Sequence, residues 1–134
     1  MLGIDVAPSA VALTVAAGGP ALCRDVFGRV PGTGRWGTVL LADGNIGIGG
    51  DPAALLRRVL ALLAPGGQVL MEVEPPGAGS RVEPLRLRSP RSVGEWFAWA
   101  HVSADAAAGL AAMCAATVTE FWEEAGRWFV ALRS

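Results

Sequence analysis

Apolar residues fall along this chain in two kinds of block. Thr38-Val39-Leu40-Leu41-Ala42-Asp43 and Gln68-Val69-Leu70-Met71-Glu72-Val73 are nearly continuous apolar runs. Such runs read as strands buried on both faces, the pattern of parallel sheets covered by helices. Between them, Leu55, Leu56, Val59, Leu60, Leu62 and Leu63 recur at helical spacing and make one wide apolar face, with Arg57 and Arg58 snorkelling or pointing to water. Asp51 is placed to cap this helix and Pro52 suits its first position, while Pro65-Gly66-Gly67 stops it. The stretch predicts a right-handed strand–helix–strand crossover. Asp43 and the loop Gly44 to Gly50 lie at the carboxyl end of its first strand, where open parallel sheets bind ligands. The loop reads equally as a flexible connector.

The flanks continue the alternation. Leu2 to Val6 predicts a short strand, Pro8 to about Ala17 a helix stopped by Gly18-Gly19, and Ala21 to Val26 a second strand. Gly28 to Gly37 is a loop holding a literal GxGxxG, Gly32-Thr33-Gly34-Arg35-Trp36-Gly37. A dinucleotide fingerprint follows a strand and opens a helix; this one precedes a strand, so it carries no such reading. Beyond the turn at Glu74-Pro75-Pro76-Gly77, Arg81 to Arg91 predicts an exposed, extended excursion, and Gly94 to Val102 a strand or docked loop. Ser103 is a cap for a helix from Ala104 to about Cys114. Thr117 to Trp122 and Arg127 to Leu132 are two strands joined at Glu123 to Gly126 as a hairpin. Helices alternating with strands predict an α/β layered sandwich, and the absence of any repeat or linker predicts one domain over residues 1–134.

Composition narrows the functions. The chain has 134 residues, 52% of them hydrophobic, which suffices for one core. Its net charge is −1, with no basic run to meet nucleic acid or an anionic membrane surface. Lys and Tyr are absent, which reads as G and C codon bias. Two cysteines far apart, Cys23 and Cys114, and a single histidine make a zinc site improbable and a reduced, cytoplasmic setting the default. The start, Met1-Leu2-Gly3-Ile4-Asp5, has no basic n-region of a signal peptide, and every apolar run breaks before the length of a membrane span.

Several motifs, in this order, resemble those of the class I S-adenosylmethionine-dependent methyltransferases. Gly3-Ile4-Asp5 looks like the acidic end of that family's second strand, Arg24-Asp25-Val26 like the end of its third, and Asp43-Gly44-Asn45 like the end of its fourth. Leu63-Ala64-Pro65-Gly66-Gly67 followed by Val69-Leu70-Met71-Glu72 looks like its helix-to-fifth-strand passage, and the terminal hairpin like its last two strands. The resemblance covers Leu2 to Leu132 and implies a Rossmann-like sandwich, mostly parallel, with a C-terminal antiparallel hairpin. It implies S-adenosyl-L-methionine as cofactor, held by Asp5 and Val6 at the ribose, Asp25 and Val26 at the adenine, and Asp43, Gly44 and Asn45 at the methionine part. The family's first strand and glycine-rich loop have no counterpart here. The expectation is that the chain is the C-terminal part of a longer enzyme, that its sheet closes up, or that another chain, as in a homo-oligomer, supplies the strand.

Methyl transfer onto a small-molecule acceptor is the function this resemblance implies. The catalytic residue stays unassigned: His101, Glu72 and Glu74 are candidate bases, and a lone histidine beside Trp99 reads more readily as structural. Trp96, Phe97 and Trp99 are read first as core packing and second as an acceptor pocket. No serine has the partners of a hydrolytic triad. Two other functions fit: a non-catalytic module that keeps the fold, and a nicotinamide-dependent oxidoreductase in which Asp5 holds the ribose.

Overall fold

The computed structural model describes residues 1–134, which form two compact units, Met1–Thr33 and Gly34–Ser134. In the first, β1 (Gly3–Asp5) pairs in parallel with β2 (Ala21–Cys23), and α1 (Pro8–Ala16) joins them. The strand foreseen to Val26 ends at Cys23, because Asp25 turns the chain by accepting the Phe27 N–H at 2.9 Å. Pro8 opens α1. Gly18, at φ 89°, closes it: the Gly18 N–H reaches the Val15 carbonyl and the Gly19 N–H the Thr14 carbonyl, a Schellman end. α1 is mostly apolar, with no one apolar face, and none of its residues is buried.

The second unit is built on a four-stranded sheet of β3 (Trp36–Leu41), β4 (Leu63–Val73), β9 (Thr117–Glu124) and β10 (Arg127–Arg133), in the order β3-β4-β10-β9. β3 and β4 are parallel and joined by α2 (Pro52–Leu62), the crossover the hydrophobic pattern predicts. β10 lies antiparallel between β4 and β9. Ala125 and Gly126 both have positive φ, as a two-residue hairpin turn demands. Asp51 caps α2 by accepting the Ala54 N–H at 3.0 Å. The helix ends at Leu62 and β4 begins at Leu63, earlier than Pro65-Gly66-Gly67 suggests. Proline excludes the helical conformation at the residue before it, and its ring would clash with the helix carbonyl four residues back, so the chain extends before Pro65 arrives.

Leu55, Leu56, Val59 and Leu62 of α2 are buried against the sheet face that carries Leu41, Val69, Met71, Val130 and Leu132. α3 (Ala107–Met113) packs beside α2 and on β9. Arg57 is exposed, as expected, and also donates to the Met113 carbonyl at 3.1 Å, tying the two helices. Ser103 precedes a 3-10 turn (Ala104–Ala106), is buried, and gives no cap bond to a backbone N–H. The sheet is not buried on both faces: both helices lie on one, and Leu40 on the other is 62% exposed. The expected excursion is extended and mostly exposed, and it pairs as a ribbon, β5 (Arg81–Leu85) antiparallel to β8 (Phe97–His101), tipped by a small hairpin of β6 (Arg88–Ser89) and β7 (Ser92–Val93). No helix is long and apolar enough to cross a membrane.

Candidate functional site

In the first unit the parallel pairing sets Asp5 opposite Cys23, so Asp5 and the Arg24-Asp25-Val26 segment share the carboxyl end of the β1–β2 pair. Asp5 Oδ1 accepts the Ala7 N–H at 2.8 Å and Asp25 Oδ1 accepts the Phe27 N–H at 2.9 Å. Each aspartate uses one carboxylate oxygen to shape its own turn and keeps Oδ2 for another partner. Val6 is exposed and Val26 half-buried beside them.

In the second unit, Asp43 leaves the carboxyl end of β3 in the left-handed region, at φ 54°, followed by Gly44 at φ 74°. Aspartate tolerates that conformation better than most residues, and glycine costs nothing there. Asn45, Ile46 and Gly47 then make one 3-10 turn, with Ile46 buried as its anchor. The glycine loop is therefore neither slack nor wholly a ligand cradle. A Cβ on Gly47 would collide with the Ala100 carbonyl and lie 2.6 Å from Trp99 Nε1, and one on Gly50 would lie 2.6 Å from the Ala98 Cβ. These glycines let the loop lie flat on β8. Around Gly44 the space is open.

A cavity of about 260 Å³ opens beside this turn, bordered by Asp43, Gly44, Glu72, Glu74, Trp99 and His101 among others. Two ion clusters shape it. On one side Arg127 of β10 reaches across β4: Nε donates to Glu72 Oε1 at 2.9 Å, and Nη2 donates to Glu72 Oε2 at 2.7 Å and to Asp43 Oδ1 at 3.1 Å. Glu72 Oε2 also accepts the Asp43 N–H at 2.7 Å. The Arg127 hydrogen bonds hold the Glu72 carboxyl below its ordinary range against the opposing effect of burial, and raise Arg127 in return. On the other side His101 of β8 lies between two carboxylates, with Nδ1 at 2.7 Å from Glu74 Oε1 and Nε2 at 2.6 Å from Glu83 Oε1. A ring with a proton on each nitrogen satisfies both contacts; a neutral ring donates to only one. Arg81 donates to Glu74 Oε2 at 3.3 Å. Glu74 is held by its backbone, which exchanges hydrogen bonds with Val102 and Ala104.

The structure thus gathers Asp43, Glu72, Glu74 and His101 round one cavity. Of the three aromatics, only Trp99 borders it; Trp96 and Phe97 are exposed on the ribbon rather than packed in a core. Sequence reasoning passed over Glu83, Arg81 and Arg127. The first two lay in a segment read as an excursion. For Arg127 the only signal was its position one residue past the hairpin glycine.

No protein-family model and no curated protein matches the sequence. Solved structures do match, over almost the whole chain. A SAM-dependent methyltransferase from Bacteroides fragilis, in complex with S-adenosyl-L-homocysteine, is 21% identical over 96% of this chain and 60% of its own, with a TM-score of 0.76. A Burkholderia thailandensis 1,6-didemethyltoxoflavin N1-methyltransferase, with that compound and S-adenosylhomocysteine bound, is 16% identical over 99% of this chain and 60% of its own, with a TM-score of 0.67. An O-methyltransferase from neocarzinostatin biosynthesis is 16% identical over 99% of this chain and 41% of its own, with a TM-score of 0.70. The chain has the α/β, Rossmann-like fold of the class I SAM-dependent methyltransferases. It spans about 60% of the length of the first two.

Proposed function

We propose that the chain is the cofactor- and acceptor-binding C-terminal part of an S-adenosylmethionine-dependent methyltransferase acting on a small molecule. The observation that carries this reading is one of placement. Within the first unit Asp5 ends a parallel strand and Asp25 follows the end of its partner; within the second, Asp43 follows the end of a parallel strand. The structural likeness is to methyltransferases, several with S-adenosylhomocysteine bound. Asp5, with Val6 beside it, keeps one carboxylate oxygen for a ribose hydroxyl, Asp25 keeps one for the adenine amine, and Val26 offers apolar surface to the ring. Asp43, Gly44 and Asn45 would hold the amino-acid end, where the open side of Gly44 admits a ligand. When bound, S-adenosylmethionine supplies a methyl group already activated by its sulfonium, so the protein's task is alignment and removal of one proton. The acceptor sits in the cavity against Trp99, and Glu74 Oε1, backed by His101 Nδ1, takes the proton that the acceptor loses.

That the enzyme is longer than this chain is supported by surfaces each unit leaves unsatisfied. β3 is an edge strand of its sheet, Leu40 stands bare on the face away from the helices, and α1 buries nothing within its unit. Calorimetric titration of the folded chain with S-adenosylhomocysteine tests the reading. Micromolar binding is expected, weakened by Asp5→Ala, with no heat from NADH. A folded chain that binds NADH and not S-adenosylhomocysteine supports an oxidoreductase, and one that binds neither supports a non-catalytic module.

A further inference from the structure

The ribbon of β5 and β8 ends in a tip whose chemistry the cavity does not use. Leu87, Val93, Trp96 and Phe97 are exposed there, Trp96 to 61%. Arg86 stacks over the Trp96 ring at 4.4 Å, and Arg88 and Arg91 form no ion pair. Glu95 is the only acid between Arg86 and Phe97. An apolar, cationic patch of this kind is a binding surface rather than ordinary exterior. The opposite chemistry stands on the same unit. β9 is the other edge of the main sheet, with its outer backbone groups unpaired. It carries Glu120, Glu123 and Glu124, none in an ion pair, around an exposed Phe121. Three free arginines beside apolar side chains therefore match three free glutamates beside an aromatic ring, and no salt bridge joins the two sets within the chain.

We infer that these surfaces meet between two copies of this chain, the ribbon tip of each lying on the β9 edge of the other. The exchange is reciprocal: every copy offers one tip and one edge, so two contacts close a twofold dimer and leave neither patch free. The edge strand, otherwise a template for indiscriminate pairing, is covered by a partner selected by charge. The occupant is a second copy rather than nucleic acid or an anionic membrane, because the acidic complement is built into the same molecule and the net charge is −1.

Sedimentation velocity of the whole chain over a concentration series tests this. Dimers are expected, weakening as salt rises. Arg88→Glu with Arg91→Glu puts acid on both surfaces, and Glu120→Arg with Glu124→Arg puts base on both. Either pair should lower the association constant at least about tenfold. Mixing the two variants should restore dimers, since each tip again faces an edge of opposite sign. A monomeric wild-type chain, or reversed variants that dimerise as the wild type does, would overturn the inference. So would a mixture that stays monomeric while both variants keep the wild-type circular dichroism.

Discussion

At the scale of single residues, Arg127 decides the charge balance of the cavity. It gives two hydrogen bonds to Glu72, whose side chain is 15% exposed, and one to Asp43. A carboxylate so shielded, without its guanidinium, keeps only the Asp43 N–H as a charged-state partner. The sign of the pH effect follows. Glu72 has its pKa depressed on folding, so its contribution to stability is present above the unfolded value, about 4.3, and is lost as pH falls through the lower folded value. Arg127→Gln removes most of that depression. Acid unfolding of the variant, followed by circular dichroism, should therefore begin at higher pH than in the wild-type chain, with the two curves running parallel near neutrality. Coincident acid limbs would show that the pair is solvated and inert. None of this was legible in the sequence beyond the bare presence of acids. Which arginine meets which glutamate depends on strand register, and register is fixed by long-range pairing that a single sequence does not display.

At the scale of elements, the loop from Gly44 to Gly50 shows how far local signals reach. Its position after a parallel strand was readable from the apolar run before it and the capped helix after it. Its conformation was not, because it is set by β8, a strand about fifty residues away. Gly47 and Gly50 are needed for that contact and Gly44 for its dihedral angles, two demands that look identical in one sequence. They separate on substitution. Gly47→Ala drives a methyl into the Ala100 carbonyl and the Trp99 indole, and should cost about 1–3 kcal/mol, the range of overpacking. Gly109→Ala is the contrast: it lies inside α3, its added methyl meets nothing within 4 Å, and the change should stabilise by about 0.4–1 kcal/mol. Urea midpoints of the two variants check both signs. The ribbon was missed for the complementary reason. Its pairs, Arg81 with His101 through Leu85 with Phe97, join a segment read as a strand or docked loop to one whose alternation is broken by proline and arginine, so the pairing itself was not readable.

At the scale of the whole molecule, only one face of the main sheet is core. The runs Val39-Leu40-Leu41 and Val69-Leu70-Met71 look alike in sequence and predict burial on both sides. In the second unit the helices cover only one, so neighbouring residues of the same type have opposite surroundings. Leu41 and Met71 are buried beneath α2, whereas Leu40 is open. The apolar runs look the same on both faces while α2 and α3 cover only one, which is why periodicity overstates the burial. Two substitutions on paired strands make the difference measurable. Met71→Ala empties a fully buried site and should cost about 2–5 kcal/mol in denaturant unfolding. Leu40→Lys places a charge where solvent already reaches and should change stability by no more than about 0.5 kcal/mol. If Leu40→Lys proved as damaging as Met71→Ala, that face would be packed in solution, by the rest of the chain or by a second copy. Running the same pair at low and high protein concentration separates those cases, because only a second copy makes the Leu40 penalty depend on concentration.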